Sequence, residues 1–597
     1  MEVLRRKISG TKSEIDYCQT MIFILSTLSA RKKLAVGILA LALIMVSCTD
    51  RPLPKDLFVK EFRNADNIPR YEILELSFKH NGIYKNNFFD VSLETFFISP
   101  SGIQHRVKGF YYGNDMWKIR FRPDEVGRWT YTYLITNKIN FRNEGKSSFY
   151  CTASNAEGPV RRHRENPYRW VFANGKAYFP VGLQDCVVAQ GPSLLGGSID
   201  GGTREEGGKK ISWEEYFFIY GQAGFNLFRF SQKNCSYMLY DNLDHYREGE
   251  SKATDELLSL ARKHRLRVMF GFFGYHGKVT SKYWFMNVFK RTIHRIIGNW
   301  EEAIEKPDDY EIIKKEKRFI EYCIARWGVY VDFWELLNER KASDEWTTLM
   351  ADYVRSIDPD RKPIGTSWEK PYLPAIDINA PHWYESESEF KSDLRIQEQA
   401  AEAKKAGKPV IVGEQGNTGM NWDPLSGLRM RIRTWTALFQ EISFIFWNTS
   451  WSKAGADANI YLGPEERGYI RVLQDFASRL EADVFQVSVE VSEPNKARAY
   501  GLLSNNVGAV YLHHFENHTD MLRDLKITIN LPHSIDSKTG LIGEWIDPTT
   551  GKIIRRVELA SGKRSLEVPP FIIDLALLVT SKYDRVHLKN IGSDRAP

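Results

Sequence analysis

Cysteine is scarce in this chain, with six in 597 residues. Setting a leader aside leaves Cys151, Cys186, Cys235 and Cys323, which show no paired short spacing. That argues against a disulfide framework and against a zinc site, and predicts free, buried thiols. Long blocks of one charge are missing as well. The net charge of +7 is spread along the chain, with no nucleic-acid motif and no DNA-binding helix pattern, so no nucleic-acid partner is expected. There are no internal repeats and no low-complexity linker. Aromatic residues, in contrast, make up 13% of the chain and include 16 Trp, a composition that suits carbohydrate handling without requiring it. The length predicts three or four domains.

The N-terminal region reads as an export signal. Arg31-Lys32-Lys33 precedes the apolar run Leu34 to Val46, which is too short to span a bilayer comfortably. Met45-Val46-Ser47-Cys48 resembles a bacterial lipobox, with Met where Leu is commoner. That resemblance implies lipidation of Cys48 and a lipid anchor as the one membrane attachment, on the cell envelope. Plain cleavage or a membrane anchor is the alternative, and Met21 is a candidate start.

Residues 57–155 read as an N-terminal β-sandwich. Asp90 to Ile98 and Trp117 to Phe121 alternate, and Pro100-Ser-Gly102 and Arg122-Pro123-Asp124 punctuate them. Ser99-Pro-Ser-Gly102, Gly109-Phe-Tyr-Tyr-Gly113 and Trp117-Lys-Ile-Arg-Phe-Arg-Pro123 resemble an uncharacterised sandwich domain that precedes bacterial barrel glycosidases.

Residues 160–480 alternate short apolar runs with amphipathic ones. The predicted strands are Ala177–Gly182, Phe225–Ser231, Arg267–Phe273, Tyr330–Asn338, Pro363–Thr366, Ile376–Trp383, Pro409–Glu414 and Ser443–Trp447. Helical spacing falls between most of them, as in Leu257-Leu258-x-x-Ala261. Eight such strands predict an α/β fold, a (β/α)8 TIM barrel, with an insertion from Tyr275 to about Asp308. Strand patterns return over 484–585 and predict a C-terminal β-sandwich, where Gly543-Glu-Trp-Ile-Asp-Pro-Thr-Thr-Gly551 resembles a turn found in similar glycosidases.

Chemistry in such a barrel gathers where strands end at the C-terminal rim. Val331-Asp-Phe-Trp-Glu-Leu-Leu-Asn-Glu339 and Lys408-Pro-Val-Ile-Val-Gly-Glu414 both run from apolar residues into a glutamate. They close strands four and seven and are expected to face one cavity. Glu339 as a helix-start acid and Glu414 as a loop carboxylate is the structural alternative. Glu335, on the same strand face as Glu339, is the rival acid or a buried structural carboxylate.

This ordered pair resembles clan A of the glycoside hydrolases. The resemblance implies Glu339 as acid/base and Glu414 as nucleophile, with Asn338 bonding a sugar hydroxyl. It also implies Arg229, at the end of strand two, as a partner of Glu414, with a structural Arg pairing with some other acid as the alternative. Tyr384 or else His382 would contact nucleophile or sugar, a core histidine being the alternative for His382. Trp447, or else Trp451, would form a sugar platform, and each packs equally well as ordinary core. Gln184-Asp185 and His276 are rim residues that would set substrate choice; Trp368 and Glu369 face the cleft with no defined role. The reaction implied is hydrolysis with retention, without a metal or other cofactor. A likeness to apiosidase-like barrels points to plant cell-wall polysaccharide. The Glu339 pKa is expected to be raised by the negative Glu414. A transglycosidase, an inverting hydrolase and an inactive, anchored glycan-binding protein remain as alternatives.

Overall fold

A computed structural model describes residues 57–138, 140–184, 205–206, 209–231, 239–273, 310–339, 342–367, 370–418, 422–447, 461–531 and 540–581. Cys48, Asp185, His276, Trp368, Glu369, Trp451, Cys186, Cys235 and the Tyr275–Asp308 insertion lie outside the described residues. The chain divides into two units, a small one of residues 1–59 and 80–85 and a large one of residues 60–79 and 86–597. In the small unit His80 Nδ1 lies 2.8 Å from the Phe58 carbonyl oxygen. Everything below concerns the large unit.

Its centre is a closed parallel barrel. The strands are β1 (Val181–Gln184), β2 (Leu227–Ser231), β3 (Arg267–Phe273), β4 (Phe333–Leu337), β5 (Ile364–Ser367), β6 (Ile378–Ala380, resumed as His382–Glu385), β7 (Val410–Asn417) and β8 (Ile442–Trp447). Each pairs in parallel with the next, and β8 closes on β1 through Gly182↔Ile445 and Gln184↔Trp447. Seven helices are described: α1 (Trp213–Gln222), α2 (Glu248–Lys263), α3 (Tyr310–Trp327), α4 (Asp344–Ile357), α5 (Ser392–Lys404), α6 (Ser426–Phe439) and α7 (Pro464–Ala477). The (β/α)8 barrel read from the sequence is present. Local rules place the helix starts. Ser212 and Glu215 form a reciprocal capping box on α1, Ser343 caps α4 through the Trp346 amide at 3.0 Å, and Pro464 opens α7. Among the described residues no helix is long and apolar enough to cross a membrane.

The first strand departs from expectation. Ala177–Tyr178 belongs to a small antiparallel sheet with Val160–Arg162 and Trp170–Phe172, and the barrel strand starts at Val181. This small sheet plugs the base of the barrel. Trp170 stands edge-on to Phe333 at 4.9 Å between ring centres, and both pack with Leu227, Met269, Ile378, Ile411 and Ile445. An apolar layer therefore seals one end, and polar side chains occupy the layers above it.

Largely antiparallel sheets flank the barrel. On the N-terminal side a five-stranded sheet runs Asn67–Pro69, Arg142–Thr152, Gly127–Asn137, Val91–Ile98 and Gln104–Lys108 in spatial order, and a second sheet contains Phe110–Gly113 and Met116–Phe121. Phe97 and Phe121 stack at 4.2 Å between them. Arg120 ties this sandwich to the barrel by reaching Asp255 on α2 at 2.8 Å. On the C-terminal side, sheets of six and three strands enclose Leu512, Ile527 and Trp545. The outer face of the six-stranded sheet covers α6, where Tyr511 stacks on Trp435 at 5.5 Å and Asp574 holds the buried Arg431 through two bonds of 3.0 Å. Cys151 and Cys323 are free and buried.

Candidate active site

Glu339 and Glu414 meet at the rim. Glu339 lies two residues beyond β4, in a left-handed backbone conformation with φ 50°, a geometry that costs a non-glycine residue roughly 1–2 kcal/mol. Side-chain bonding to His382 offsets this. Glu414 reaches the cavity by a different device. Along β7, Ile411 faces the barrel interior while Val410 and Val412 pack against the helices, so strict alternation would turn Glu414 outward. Against β6 the register passes from Asn379↔Val410 to His382↔Glu414, and against β8 from Val412↔Phe444 to Gln415↔Phe446. One extra residue thus sits in β7 at Gly413. This bulge turns Glu414 inward.

Arg229 anchors the layer below. It is fully buried, as is Glu335, and Glu414 is 3% exposed. The guanidinium donates to Glu414 Oε1 at 2.8 Å, to Glu335 through Nε at 3.1 Å and Nη2 at 2.8 Å, and to Asn338 Oδ1 at 2.7 Å. It also donates to Gln184. Ser367 Oγ, at the end of β5, donates to Glu335 Oε1 at 2.7 Å and lies 3.1 Å from Asn338 Oδ1. One cation is therefore shared by two buried carboxylates. Their attraction holds Arg229 well above its ordinary value despite the opposing effect of burial.

His382 bridges the two rim glutamates. Its Nδ1 lies 2.9 Å from Glu339 Oε1 and 3.3 Å from Glu414 Oε2. Gly413 leaves room for the ring, since a Cβ there would meet His382 Nε2 at 3.1 Å. Tyr384 donates its hydroxyl to Glu414 Oε2. Burial first, and the Glu414 charge second, push the Tyr384 phenol up, so it stays a donor.

Here one expectation is corrected. Burial pushes the Glu339 carboxyl up, but the hydrogen bond and charge of His382, with Arg229 behind them, outweigh it and hold the group below the ordinary glutamate value. Counting only the repulsion from Glu414 overlooked the imidazole lying between the two acids.

Glu339, His382 and Glu414 each offer a ligand atom, all within 4.8 Å of one another. Both Glu414 oxygens already accept hydrogen bonds, from Arg229 and Tyr384, and the Arg229 cation 2.8 Å from Oε1 would repel a divalent ion placed there. Trp447 ends β8 beside Gln184 in the register and is partly exposed at the rim. The structure thus brings together Glu339, Glu414, Asn338, Arg229, His382 and Tyr384. Ser367 was not singled out from the sequence, though its place at the end of an apolar strand was a usable signal. Arg229 pairs with Glu335 as well as Glu414, so the two roles weighed for it are both filled.

Comparison with known proteins adds a fold. Residues 67–136 match a family described as "Domain of unknown function (DUF5060)". A comparison with curated proteins gives no match. Among solved structures, a candidate glycoside hydrolase from Bacteroides vulgatus is 16% identical, with a TM-score of 0.58, covering 87% of this chain and 100% of its own. A family 39 glycoside hydrolase from Bacteroides cellulosilyticus is 12% identical at a TM-score of 0.40, covering 87% and 100%. The first of these bears on the fold, and no argument rests on the second. The chain has a glycoside-hydrolase-like fold, a (β/α)8 barrel flanked by β-sheet regions.

Proposed function

We propose that this protein is a retaining glycoside hydrolase in which Glu414 is the nucleophile and Glu339 the acid/base. The observation that carries this is the approach of the two carboxylates, with an oxygen of each within 4.8 Å. Retaining pairs stand about 5–5.5 Å apart, whereas inverting pairs need roughly 6.5–9.5 Å to admit a water. The Glu414 carboxylate, in a cavity walled off from water on the Arg229 side, suits a sugar ring that becomes cationic in the transition state.

In the first step Glu414 Oε forms a bond to the anomeric carbon as the glycosidic C–O bond breaks, and protonated Glu339 gives its proton to the leaving oxygen. In the second, Glu339 takes a proton from water, the water oxygen bonds to the anomeric carbon, and Glu414 leaves as a carboxylate. Arg229 and Tyr384 hold Glu414 by one oxygen each and stabilise its charge as it departs. Asn338, held by Arg229 and Ser367, bonds the hydroxyl beside the anomeric carbon in this reading, as the family resemblance implies.

The substrate proposed is a plant cell-wall polysaccharide or oligosaccharide, supported by the resemblance to apiosidase-like barrels, and the anchor proposed is a lipid on Cys48. Turnover of an activated aryl glycoside by Glu414→Ala and Glu339→Ala tests the roles. Both should lose most activity. Azide should restore the Glu339 variant through a glycosyl azide of retained configuration, because it attacks the glycosyl ester without a base, whereas any rescue of the Glu414 variant should give the inverted azide. Undiminished turnover in either would refute the assignment. Product analysis by NMR with a sugar acceptor present separates hydrolysis from transglycosylation and retention from inversion. Radiolabelled palmitate should enter the wild type and not Cys48→Ala.

A further inference from the structure

We propose that a cleft between the N-terminal sandwich and the base of the barrel is a second carbohydrate site, selective for an anionic, uronate-bearing oligosaccharide. The cleft holds about 430 Å³, within the roughly 300–1,000 Å³ typical of small-molecule sites. It lies at the opposite end of the barrel from the glutamate pair. Its barrel wall is the last turn of α3 and the loop from Asp358 to Lys362, which feeds the start of β5, while Ser367 at the other end of β5 belongs to the catalytic layer. Its sandwich wall is the Gln104–Lys108 strand and the end of Met116–Phe121.

Two features give the cleft its chemistry. The floor is apolar, built from Phe121, Ile324, Val329 and Ile357, and suits the C–H face of a sugar ring. The rest of the lining is rich in cations, most of them already neutralised. Arg122 pairs with Asp360 at 2.7 Å, Lys108 with Glu321 at 2.6 Å, and Lys362 with Asp358 at 2.8 Å. Arg161 and Arg361 are different. Among the described residues neither has a carboxylate within ion-pair distance, and Arg161 donates only to the Val160 main-chain carbonyl at 2.9 Å. Arg361 is exposed and sits at φ 47°, held there by the turn in which its amide donates to the Asp358 carbonyl at 3.1 Å. A guanidinium fork without an acid is matched in shape and charge to a carboxylate. A small inorganic anion would satisfy the forks and leave the floor uncovered. A uronate chain satisfies both. The choice of a sugar rests on the glycosidase reading, but the binding does not depend on catalysis.

Calorimetric titration of the full chain with trigalacturonate, a neutral trisaccharide and inorganic phosphate tests this, on wild type and on the double variant Arg161→Ala/Arg361→Ala. Trigalacturonate should bind the wild type at least tenfold more tightly than either control. The double variant should lose about tenfold or more, as expected for charged hydrogen bonds, with aryl-glycoside turnover and melting temperature unchanged. Equal affinity in the double variant, no binding by the wild type, or phosphate binding as tightly as the trisaccharide would overturn the proposal. Selective binding in a protein that cleaves no glycoside would leave this site standing and sink the catalytic reading; turnover without selective binding would do the reverse.

Discussion

Replacing His382 by alanine should move the pH range of the reaction upward. The imidazole Nδ1 lies 2.9 Å from Glu339 Oε1, and its hydrogen bond and charge are what hold that carboxyl below the ordinary glutamate value against the upward push of burial. A charge-assisted hydrogen bond contributes about 1.5–3 kcal/mol. The Glu339 side chain is 24% exposed, so solvent screens the pair and the lower end applies. About 1.4 kcal/mol is one pH unit. The sign follows from the role: a general acid works only while protonated, so kcat/KM falls as pH rises through the Glu339 titration. In the wild type this basic limb should lie below the usual glutamate range, and in His382→Ala it should rise by about one unit. The assay is kcat/KM against pH on an alkyl glycoside, whose poor leaving group needs the proton. A dinitrophenyl glycoside, which does not need it, serves as the control and should show no shift of that limb. The reasoning is refuted if the wild-type limb lies well above the carboxylate range and falls in the variant. The working proton would then reside on the imidazole.

Other substitutions test the layers beneath. Glu335→Gln puts an amide donor against the Arg229 guanidinium and removes one charged hydrogen bond, so stability should fall by about 1.5–3 kcal/mol, with kcat/KM lowered roughly tenfold by displacement of Glu414; denaturant unfolding and kinetics at wild-type values would make Glu335 a mere space filler. Gly413→Ala should drive a methyl group to 3.1 Å from His382 Nε2 and lower kcat by roughly ten- to a hundredfold with little change in KM, and a kcat within twofold of wild type would show that the ring adjusts freely. Asp255 is held below its ordinary value by Arg120 and Arg326, against the push of burial. A carboxyl depressed by folding contributes stability above its unfolded value that is lost as pH falls through the folded one. Asp255→Asn should therefore melt lower than wild type at neutral pH, and the gap should close below about pH 4; a gap constant across that window would sink the argument.

How far the sequence is legible here depends on what each feature needs. A buried parallel strand is covered on both faces, so it reads as a short apolar run, and Phe333–Leu337 and Ile442–Trp447 are visible for that reason. Strand one is harder. Ala177–Tyr178 and Val181–Gln184 are two short apolar pieces separated by Phe179-Pro180, and nothing local says that the first pairs antiparallel with Trp170–Phe172 while the second enters the barrel.

Glu414 is instructive in a different way. The rule that chemistry sits at strand ends led to it, yet the alternation of β7 would have turned it away from the cavity, and the extra residue at Gly413 reverses that. The glycine is needed there to let the His382 ring lie against the strand. A motif of glycine followed by glutamate at the end of an apolar strand therefore encodes a direction as well as a residue type. The charge balance of the site is the part that no single stretch of chain encodes. Arg229, Glu335, Glu339, His382 and Glu414 come from four separate stretches, at β2, β4 and its end, β6 and β7, and the charge balance among them exists only after the barrel has closed. That is why the two acids were readable and the sign of the Glu339 shift was not.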